Sequence, residues 1–378
     1  MRKFLEPYTF ANGMNVKNRI MLAPMTNFSS DEKGQVTPEE LAYYRERSRG
    51  AGTVITACAN VTAGGKGFPG QIGIDRDELD SSLRELASTI QEEGAKAVVQ
   101  IYHGGRMSPP DLLPDKQPVS ASAVAPVREG AVTPRELTEE EIAHIIKAFG
   151  QAAQRAVRAG FDGVEIHGAN TYLIQQFFSP HSNRRTDKWG GSVEDRMRFP
   201  LAVVKEVLQS VKEAGADETF LIGYRFSPEE KEEPGITMED TMKLINRLAE
   251  EKLDYLHVSV QDFSAGSMRN KEDERSRVEI VQEAVGEKIP VVGVGSLYTP
   301  DEAEKAMESG VPFLALGREL IVDPQWVEKV ESGREAEIRT ELSTEDREKL
   351  VVPKPLWKAI VNTPGWFPVA EHKQKSAE

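Results

Sequence analysis

The sequence predicts a (β/α)8 TIM barrel, and three observations carry that prediction. Short β-branched runs alternate with longer, charge-rich amphipathic stretches through most of the 378 residues, which is typical of β-α units on a parallel sheet. Eight such strands can be counted, the number that closes a barrel. An open doubly wound sheet would normally carry G-x-G-x-x-G after its first strand, but Pro24-Met25-Thr26-Asn27-Phe28 stands there.

The elements follow one another in regular order. The predicted strands are Arg19–Pro24, Thr53–Cys58, Ala97–Tyr102, Gly163–His167, Phe220–Phe226, Leu256–Ser259, Pro290–Val294 and Phe313–Leu316. The predicted helices, several introduced by Ser, Thr or Asp caps, are Glu39–Arg49, Ser82–Glu93, Glu139–Ala159, Val193–Ala214, Met238–Glu251, Arg277–Val285, Pro300–Ser309 and Gln325–Ser332.

We expect one domain over residues 1–378, since neither a linker nor a composition shift divides the chain. The barrel core runs from about 19 to 332. Two parts exceed the repeating unit: a proline-rich loop from His103 to Leu137, and a C-terminal extension over 333–378. Loops of that length are usually functional or lid-like. The extension contains Arg334, Trp357 and Trp366, to which the sequence assigns no role.

Charge and cysteine content exclude several classes of protein. The net charge of -14 argues against nucleic acid or an anionic membrane as partner, because both are negatively charged and bind clusters of Lys and Arg. Cys58 is the only cysteine, which excludes intrachain disulfides, a four-Cys zinc site and a Cys-ligated iron–sulfur cluster. A cytoplasmic protein acting on small molecules is expected, since neither a signal peptide nor a membrane-spanning run is present. A homo-oligomer remains open.

Polar residues stand at the ends of the first, third and fifth strands. Thr26 and Gln100 can hydrogen-bond the edge of a neutral heteroaromatic ring. Arg225 is placed among apolar residues, where an unpaired charge is costly, so it requires an anionic or electron-rich partner. Each of the three could instead be a polar residue satisfied by neighbours inside the barrel.

The ends of the seventh and eighth strands predict a phosphate site. Gly295-Ser296 and Gly317-Arg318 follow these strands, and the loops there form the recurrent phosphate site of this fold. Glycine lets the backbone approach the anion, and Arg318 adds a cation.

The end of the fourth strand is the most informative. His167 and Asn170 can give two hydrogen bonds to one ligand oxygen, and Tyr172 can be a proton donor beside it. The alternative is a strand-end histidine and a helix-capping asparagine. The sequence contains neither the spacing of a barrel metal hydrolase, nor a strand-end lysine, nor a G-x-S-x-G elbow. A bound phosphate-bearing cofactor is therefore expected to carry out redox chemistry.

These strand ends belong to a set of longer motifs. Ser179 to Arg196 contains N-R-R-T-D-x-W-G-G-S-x-x-x-R, and Gln100 lies in V-Q-I-x-H-G-G-R. With Pro24-Met25-Thr26, H-G-A-N-T-Y at 167–172, Arg225, Gly295 and Gly317-Arg318, the chain resembles the Old Yellow Enzyme family of NAD(P)H:flavin oxidoreductases. The resemblance runs from about Leu5 to Trp326.

The resemblance implies a non-covalent FMN at the barrel mouth and NAD(P)H as electron donor. It places Thr26 near flavin N5/O4, Gln100 near the pyrimidine and Arg225 near N1/O2. It implies that His167 and Asn170 bind the carbonyl or nitro oxygen of an acceptor, that Tyr172 protonates the carbon alpha to that group, and that the kinetics are ping-pong. The implied cofactor-binding residues are Pro24, Met25, Thr26, Ala57, Gln100, His167, Arg225, Gly295, Ser296, Gly317 and Arg318. Phe28 joins His167, Asn170 and Tyr172 at the substrate.

The chain also departs from one branch of that family. Thr26 and Phe28 stand where that branch carries Cys and Tyr, so cysteine-based tuning of the flavin and a tyrosine hydrogen bond to substrate are absent. The leading hypothesis is an FMN-dependent ene-reductase. A flavin, quinone or nitro reductase would use the same residues, and a non-catalytic flavin-binding protein and an FMN-free isomerase are further alternatives.

Overall fold

Eight parallel strands close into a barrel in the computed structural model, which describes residues 2–370. The barrel strands are β1 (Ile20–Leu22), β2 (Thr53–Ile55), β3 (Lys96–Tyr102), β4 (Gly163–Gly168), β5 (Leu221–Phe226), β6 (Tyr255–Val258), β7 (Val291–Val294) and β8 (Phe313–Leu316). Each pairs with the next in chain order, and β8 pairs with β1 to close the ring. The predicted TIM barrel is confirmed, with strand bounds that differ by at most a few residues.

The barrel interior is filled at its N-terminal end and open at the other. Phe313 and Leu221, the first residues of β8 and β5, belong to an apolar cluster inside the ring. An antiparallel pair, Tyr8–Thr9 with Asn15–Val16, lies across that end. Phe10 from its turn stacks on Phe313 with ring centroids 5.0 Å apart. Because this end is plugged, ligand access is through the C-terminal ends of the strands, where barrel enzymes keep their sites.

Helices surround the barrel and cover the outer faces of the strands. They are α1 (Pro38–Ser48), α2 (Asp80–Glu92), α3 (Glu139–Ala159), α4 (Leu173–Phe178), α5 (Val193–Arg196), α6 (Arg198–Glu213), α7 (Met238–Leu248), α8 (Arg277–Val285), α9 (Pro300–Met307), α10 (Arg318–Val322), α11 (Trp326–Glu331) and α12 (Lys354–Val361). Thr138 begins α3 with a reciprocal capping box to Glu141, and Gly160 ends it at a φ of 83°.

The prediction of one continuous helix over Val193–Ala214 is wrong. The segment predicted as Val193–Ala214 is divided at Met197 into α5 and α6. Pro200 explains the division, because proline has no N–H to donate to the carbonyl of Arg196 four residues earlier. The short helices α4, α10 and α12 were not predicted.

The two long additions lie against the barrel. In the loop after β3, Val119–Ser120 pairs with Arg135–Glu136, and Arg106 donates to the carbonyls of Val124 and Ala125. The extension after α11 is held by Arg47, whose guanidinium donates to the Leu350 carbonyl at 2.9 Å. Residues 371–378 of the predicted extension lie outside the described chain. Within residues 2–370, no helix has both the length and the apolar character needed to cross a membrane.

Candidate active site

A cleft of about 980 Å³ opens at the C-terminal ends of the strands. It brings together eight residues predicted for the site: Pro24, Met25, Asn170, Arg225, Gly295, Ser296, Gly317 and Arg318. They come from strand ends that are far apart in sequence, so only barrel closure brings them together. The cleft is therefore the candidate binding site for the predicted cofactor.

His167 and Tyr172 lie in an aromatic cluster beside the cleft. Their ring centroids are 5.1 Å apart, and the Tyr102 ring contacts both, at 6.0 Å from His167 and 4.7 Å from Tyr172. Phe28 is connected to this cluster through Phe68. The Phe68 ring centroid lies 5.7 Å from that of Phe28 and 6.2 Å from that of Tyr102. Phe28, predicted at the substrate, thus stands on the same side as His167 and Tyr172.

The protonation states of His167 and Tyr172 suit hydrogen-bond donation. Burial, and then the Arg225 charge, lowers the pKa of His167 well below its usual range, so the imidazole is neutral. Its Nδ1 accepts from the Ala169 N–H at 3.4 Å, which assigns the ring proton to Nε2. Burial raises the pKa of Tyr172, so the phenol keeps its proton at neutral pH. Both side chains are therefore donors.

Asn170 is held by two serines. Its backbone N–H donates to Ser227 Oγ at 2.9 Å, and its Oδ1 accepts from Ser259 Oγ at 2.7 Å. Because the carbonyl oxygen of the amide is engaged, the Nδ2 group remains as the donor toward a ligand. Ser259 lines the cleft and was not predicted.

Left-handed backbone is concentrated at the predicted site. Among the described residues, six non-glycine residues have positive φ values: four at the predicted site, Phe28 (56°), Asn170 (56°), Thr171 (70°) and Ser296 (51°), and two elsewhere, Lys116 (56°) and Val351 (49°). Such conformations are costly for Phe, Thr and Ser, less so for Asn, and tend to gather at active sites and ligand clamps. The backbone therefore supports the choice of Phe28, Asn170 and Ser296, which rested on sequence motifs alone.

Arg225 provides the test of whether a flavin fits. It is 7% exposed, it lines the cleft, and its Nε is buried without a hydrogen-bond partner among the described residues. A buried guanidinium in this state requires an electron-rich ligand, because an unmade hydrogen bond to a charged group is expensive. The pyrimidine edge of a flavin, which gains negative charge on reduction, has the chemistry this cation needs.

Three further predicted residues lie near the strand ends but outside the lining of the cleft. Gln100 is buried, and its amide Nε2 donates to Glu165 Oε1 at 2.7 Å. Thr26 is partly exposed and follows Met25 directly. Ala57 is 3% exposed, and its N–H donates to the Tyr44 hydroxyl at 2.8 Å.

The ends of β7 and β8 form a polar pocket at one side of the cleft. The guanidinium of Arg318 donates to Ser296 Oγ at 2.5 Å and to the Trp366 carbonyl at 3.3 Å. Gly295 has a φ of 134°, and a Cβ there would lie 2.5 Å from the Phe263 nitrogen. A Cβ on Gly317 would lie 3.0 Å from Met25 Sδ. Gly295 is therefore required by its backbone conformation and close packing where a phosphate is predicted, whereas a Cβ on Gly317 would need only a small shift of the Met25 side chain.

Several residues at the site were missed by sequence reasoning. Thr363, Pro364, Gly365 and Trp366 of the extension line this chain's own cleft. Tyr102 and Glu165 were detectable, because each lies two residues from a predicted site residue on the same strand and so faces the same side. No cluster of His, Cys, Asp and Glu suited to a metal ion occurs in the described part of the chain.

Comparison with known proteins shows the family to which the chain belongs. Residues 3–337 match the model of the NADH:flavin oxidoreductase / NADH oxidase family. The chain is 50% identical over 367 residues to a probable NADH-dependent flavin oxidoreductase of Bacillus subtilis strain 168, covering 97% of this chain and 98% of the relative. It is 45% identical over 359 residues to an NADH:fumarate oxidoreductase of Klebsiella pneumoniae strain 342, covering 94% of this chain and 38% of that longer protein.

A solved structure of an Old Yellow Enzyme homologue has the same fold as this chain. The Old Yellow Enzyme homologue from Zymomonas mobilis superposes with a TM-score of 0.76 at 25% identity, covering 94% of this chain and 98% of that one. Fold and site define an NAD(P)H-dependent oxidoreductase that uses FMN. The chain belongs to the NADH:flavin oxidoreductase / NADH oxidase family, which confirms the resemblance to Old Yellow Enzymes.

Proposed function

We propose that this enzyme reduces the activated C=C bond of α,β-unsaturated carbonyl or nitro compounds by a ping-pong mechanism. One observation carries the proposal: two neutral donors, His167 and Asn170, and one protonated phenol, Tyr172, lie at the C-terminal end of the same strand, beside a cleft that contains Arg225 and Arg318. When bound, FMN would supply the chemistry for hydride transfer between NAD(P)H and the acceptor.

The cleft residues would hold the cofactor. Arg225 would contact the flavin edge that gains negative charge, with Gln100 on the pyrimidine and Thr26 near N5/O4. Pro24, Met25 and Ala57 would contact the ring, and Gly295, Ser296, Gly317 and Arg318 would bind the phosphate. The buried guanidinium of Arg225 and the polar pocket of Arg318 support this arrangement.

The residues at the C-terminal end of β4 would act on the acceptor. His167 Nε2–H and Asn170 Nδ2 would donate to its carbonyl or nitro oxygen, which polarises the conjugated double bond. Tyr172 would then give its phenolic proton to the carbon alpha to that group. The Klebsiella relative, 38% of whose length this chain covers, is named for fumarate, which is a conjugated alkene.

The function can be tested in one anaerobic experiment. Purified protein should show flavin absorption that is bleached by NADH or NADPH. An enone or nitroalkene should restore the absorption and yield one mole of saturated product per mole of flavin. Reoxidation by quinones alone, without saturated product from any enone, would favour the flavin or quinone reductase. A colourless protein that cannot be reconstituted with FMN would contradict both. The cytoplasmic location and a homo-oligomer remain predictions.

His167→Ala should weaken phenolate binding above the flavin. Two donors that converge on one oxygen favour the phenolate, and a hydrogen bond to a charged group contributes about 1.5–3 kcal/mol, roughly 10- to 100-fold in affinity. Titration of para-substituted phenols should give a long-wavelength charge-transfer band in the native enzyme. The matched control is His144→Ala, an exposed histidine on α3. A band of native strength and affinity in His167→Ala would reject the role of His167.

A further inference from the structure

A buried acid, Glu165, contacts Gln100 and has no role in the proposed mechanism or in the family resemblance. Glu165 is 0% exposed and lies on β4, two residues before His167, so both side chains face the barrel interior. A carboxylate buried in a barrel is costly unless it is paired and hydrogen-bonded. Its partners therefore identify what it does.

Glu165 links a residue of the adjacent strand β3 to a residue of β6, which is separated from β4 by β5. Its Oε1 accepts from Gln100 Nε2 of β3 at 2.7 Å, and its Oε2 lies 2.9 Å from His257 Nδ1 of β6. The register places Gln100 opposite Glu165, and Arg225 opposite both His167 and His257. On β5, Gly223 lies between Glu165 of β4 and Tyr255 of β6. The Tyr255 ring occupies the space that a Cβ on Gly223 would fill.

The charge states of this network follow from its contacts. Burial acts to raise the pKa of Glu165, but the His257 contact, the Arg225 charge and the Gln100 hydrogen bond together hold it below its usual value. Burial lowers the pKa of His257, so its neutral ring donates Nδ1–H to the carboxylate. The network therefore contains one anion, Glu165, and one cation, Arg225.

We propose that Glu165 is a positioning residue that orients Gln100 and serves as the counter-charge to Arg225, and that it thereby sets the reduction potential of the bound flavin. The inference rests on the proposed position of the flavin beside Arg225. Because Gln100 Nε2 is engaged by Glu165, its Oε1 is the atom left to accept from the flavin N3–H. The negative charge of Glu165 offsets the positive charge of Arg225. Reduced flavin is then not overstabilised, and the reduced flavin can still give its electrons to the acceptor.

Glu165→Gln tests the counter-charge with little change of shape. Removing the anion leaves Arg225 uncompensated, so the reduced flavin is favoured and the midpoint potential rises. We expect at least a tenfold shift in the equilibrium constant for reduction, which is about 30 mV for a two-electron couple. The potential is measured by equilibrating FMN-loaded protein with a reference dye during anaerobic reduction. An unchanged or lower potential in Glu165→Gln would assign Glu165 a structural role only.

Two changes at His257 keep the proposal testable if Glu165→Gln does not fold. His257→Leu removes the donor to Glu165 Oε2, so the carboxyl takes up a proton and the potential should rise as in Glu165→Gln. His257→Asn can place an amide N–H near the position of Nδ1 and should return the potential toward the native value. A native potential in His257→Leu would contradict the proposal.

Arg225→Leu separates this inference from the placement of the flavin. The midpoint potential of the bound flavin should fall in Arg225→Leu, because the cation that favours reduced flavin is lost. This change is opposite in sign to the one expected in Glu165→Gln. An Arg225→Leu protein that retains FMN with an unchanged potential would reject the position of the flavin beside Arg225. A lowered potential in Arg225→Leu with no shift in Glu165→Gln would reject the counter-charge alone.

Discussion

Tyr172→Phe should slow reoxidation of the reduced enzyme by an enone by about two to four orders of magnitude, the usual contribution of a positioned general acid. The phenol is buried against His167 and Tyr102 and keeps its proton because burial raises its pKa. Protonation of the alpha carbon is needed only in the enone half-reaction. Reduction by NAD(P)H needs no such donor and should be unaffected, as should FMN content.

Stopped-flow measurement of the two half-reactions distinguishes this role from damaged binding. Quinones take up protons on oxygen from solvent, so reoxidation by a quinone should be nearly native in Tyr172→Phe. Tyr102→Phe is the matched control, because its hydroxyl lies against Gly67 and Gly104 and its ring packs on Tyr172. Equal slowing with enone and quinone would indicate damaged binding. Native reoxidation by the enone would mean that another group delivers the proton.

The fold was predictable because each barrel strand is a short apolar run that can be recognised from the sequence of that segment alone. A strand buried on both faces is mostly apolar, and every residue of β5 and β8 is buried, with Arg225 the one charged residue among them. Helix starts were equally predictable, because Thr138 and Thr299 are N-cap residues. The side chain of each accepts a hydrogen bond from the backbone N–H three positions later. The division at Met197 was missed because the helical periodicity continues through it, while the missing N–H of Pro200 breaks the hydrogen-bond ladder.

The site was predictable only where its residues follow strands. Barrel topology sends every strand's C-terminal end to one mouth, so Arg225 and Arg318 could be placed from order alone. The Glu165–His257 pair depends on the register between non-adjacent strands, 92 residues apart in sequence. Trp366 reaches the cleft through an extension that is not part of the repeating unit. Neither contact has a local sequence signal.

Arg318→Ala should lower the affinity for FMN roughly 10- to 100-fold, since hydrogen bonds from a cation to a phosphate contribute about 1.5–3 kcal/mol. The guanidinium already contacts Ser296 Oγ, which in turn donates to the Gln261 carbonyl at 2.7 Å. It also holds the Trp366 carbonyl, so its removal could loosen the wall of the cleft as well as the phosphate site. The two effects must be separated.

Riboflavin, which lacks the phosphate, separates the two effects. If Arg318 binds phosphate, Arg318→Ala should weaken FMN binding to apoprotein and leave riboflavin binding near its native value, and Arg318→Lys should restore part of the FMN affinity through its charge. Arg334→Ala is the matched control, because Arg334 is a surface arginine paired with Glu337 at 3.2 Å. Equal weakening of FMN and riboflavin would mean that Arg318 only supports Trp366. Native FMN affinity in Arg318→Ala would place the phosphate elsewhere, since no neutral side chain can replace the lost cation.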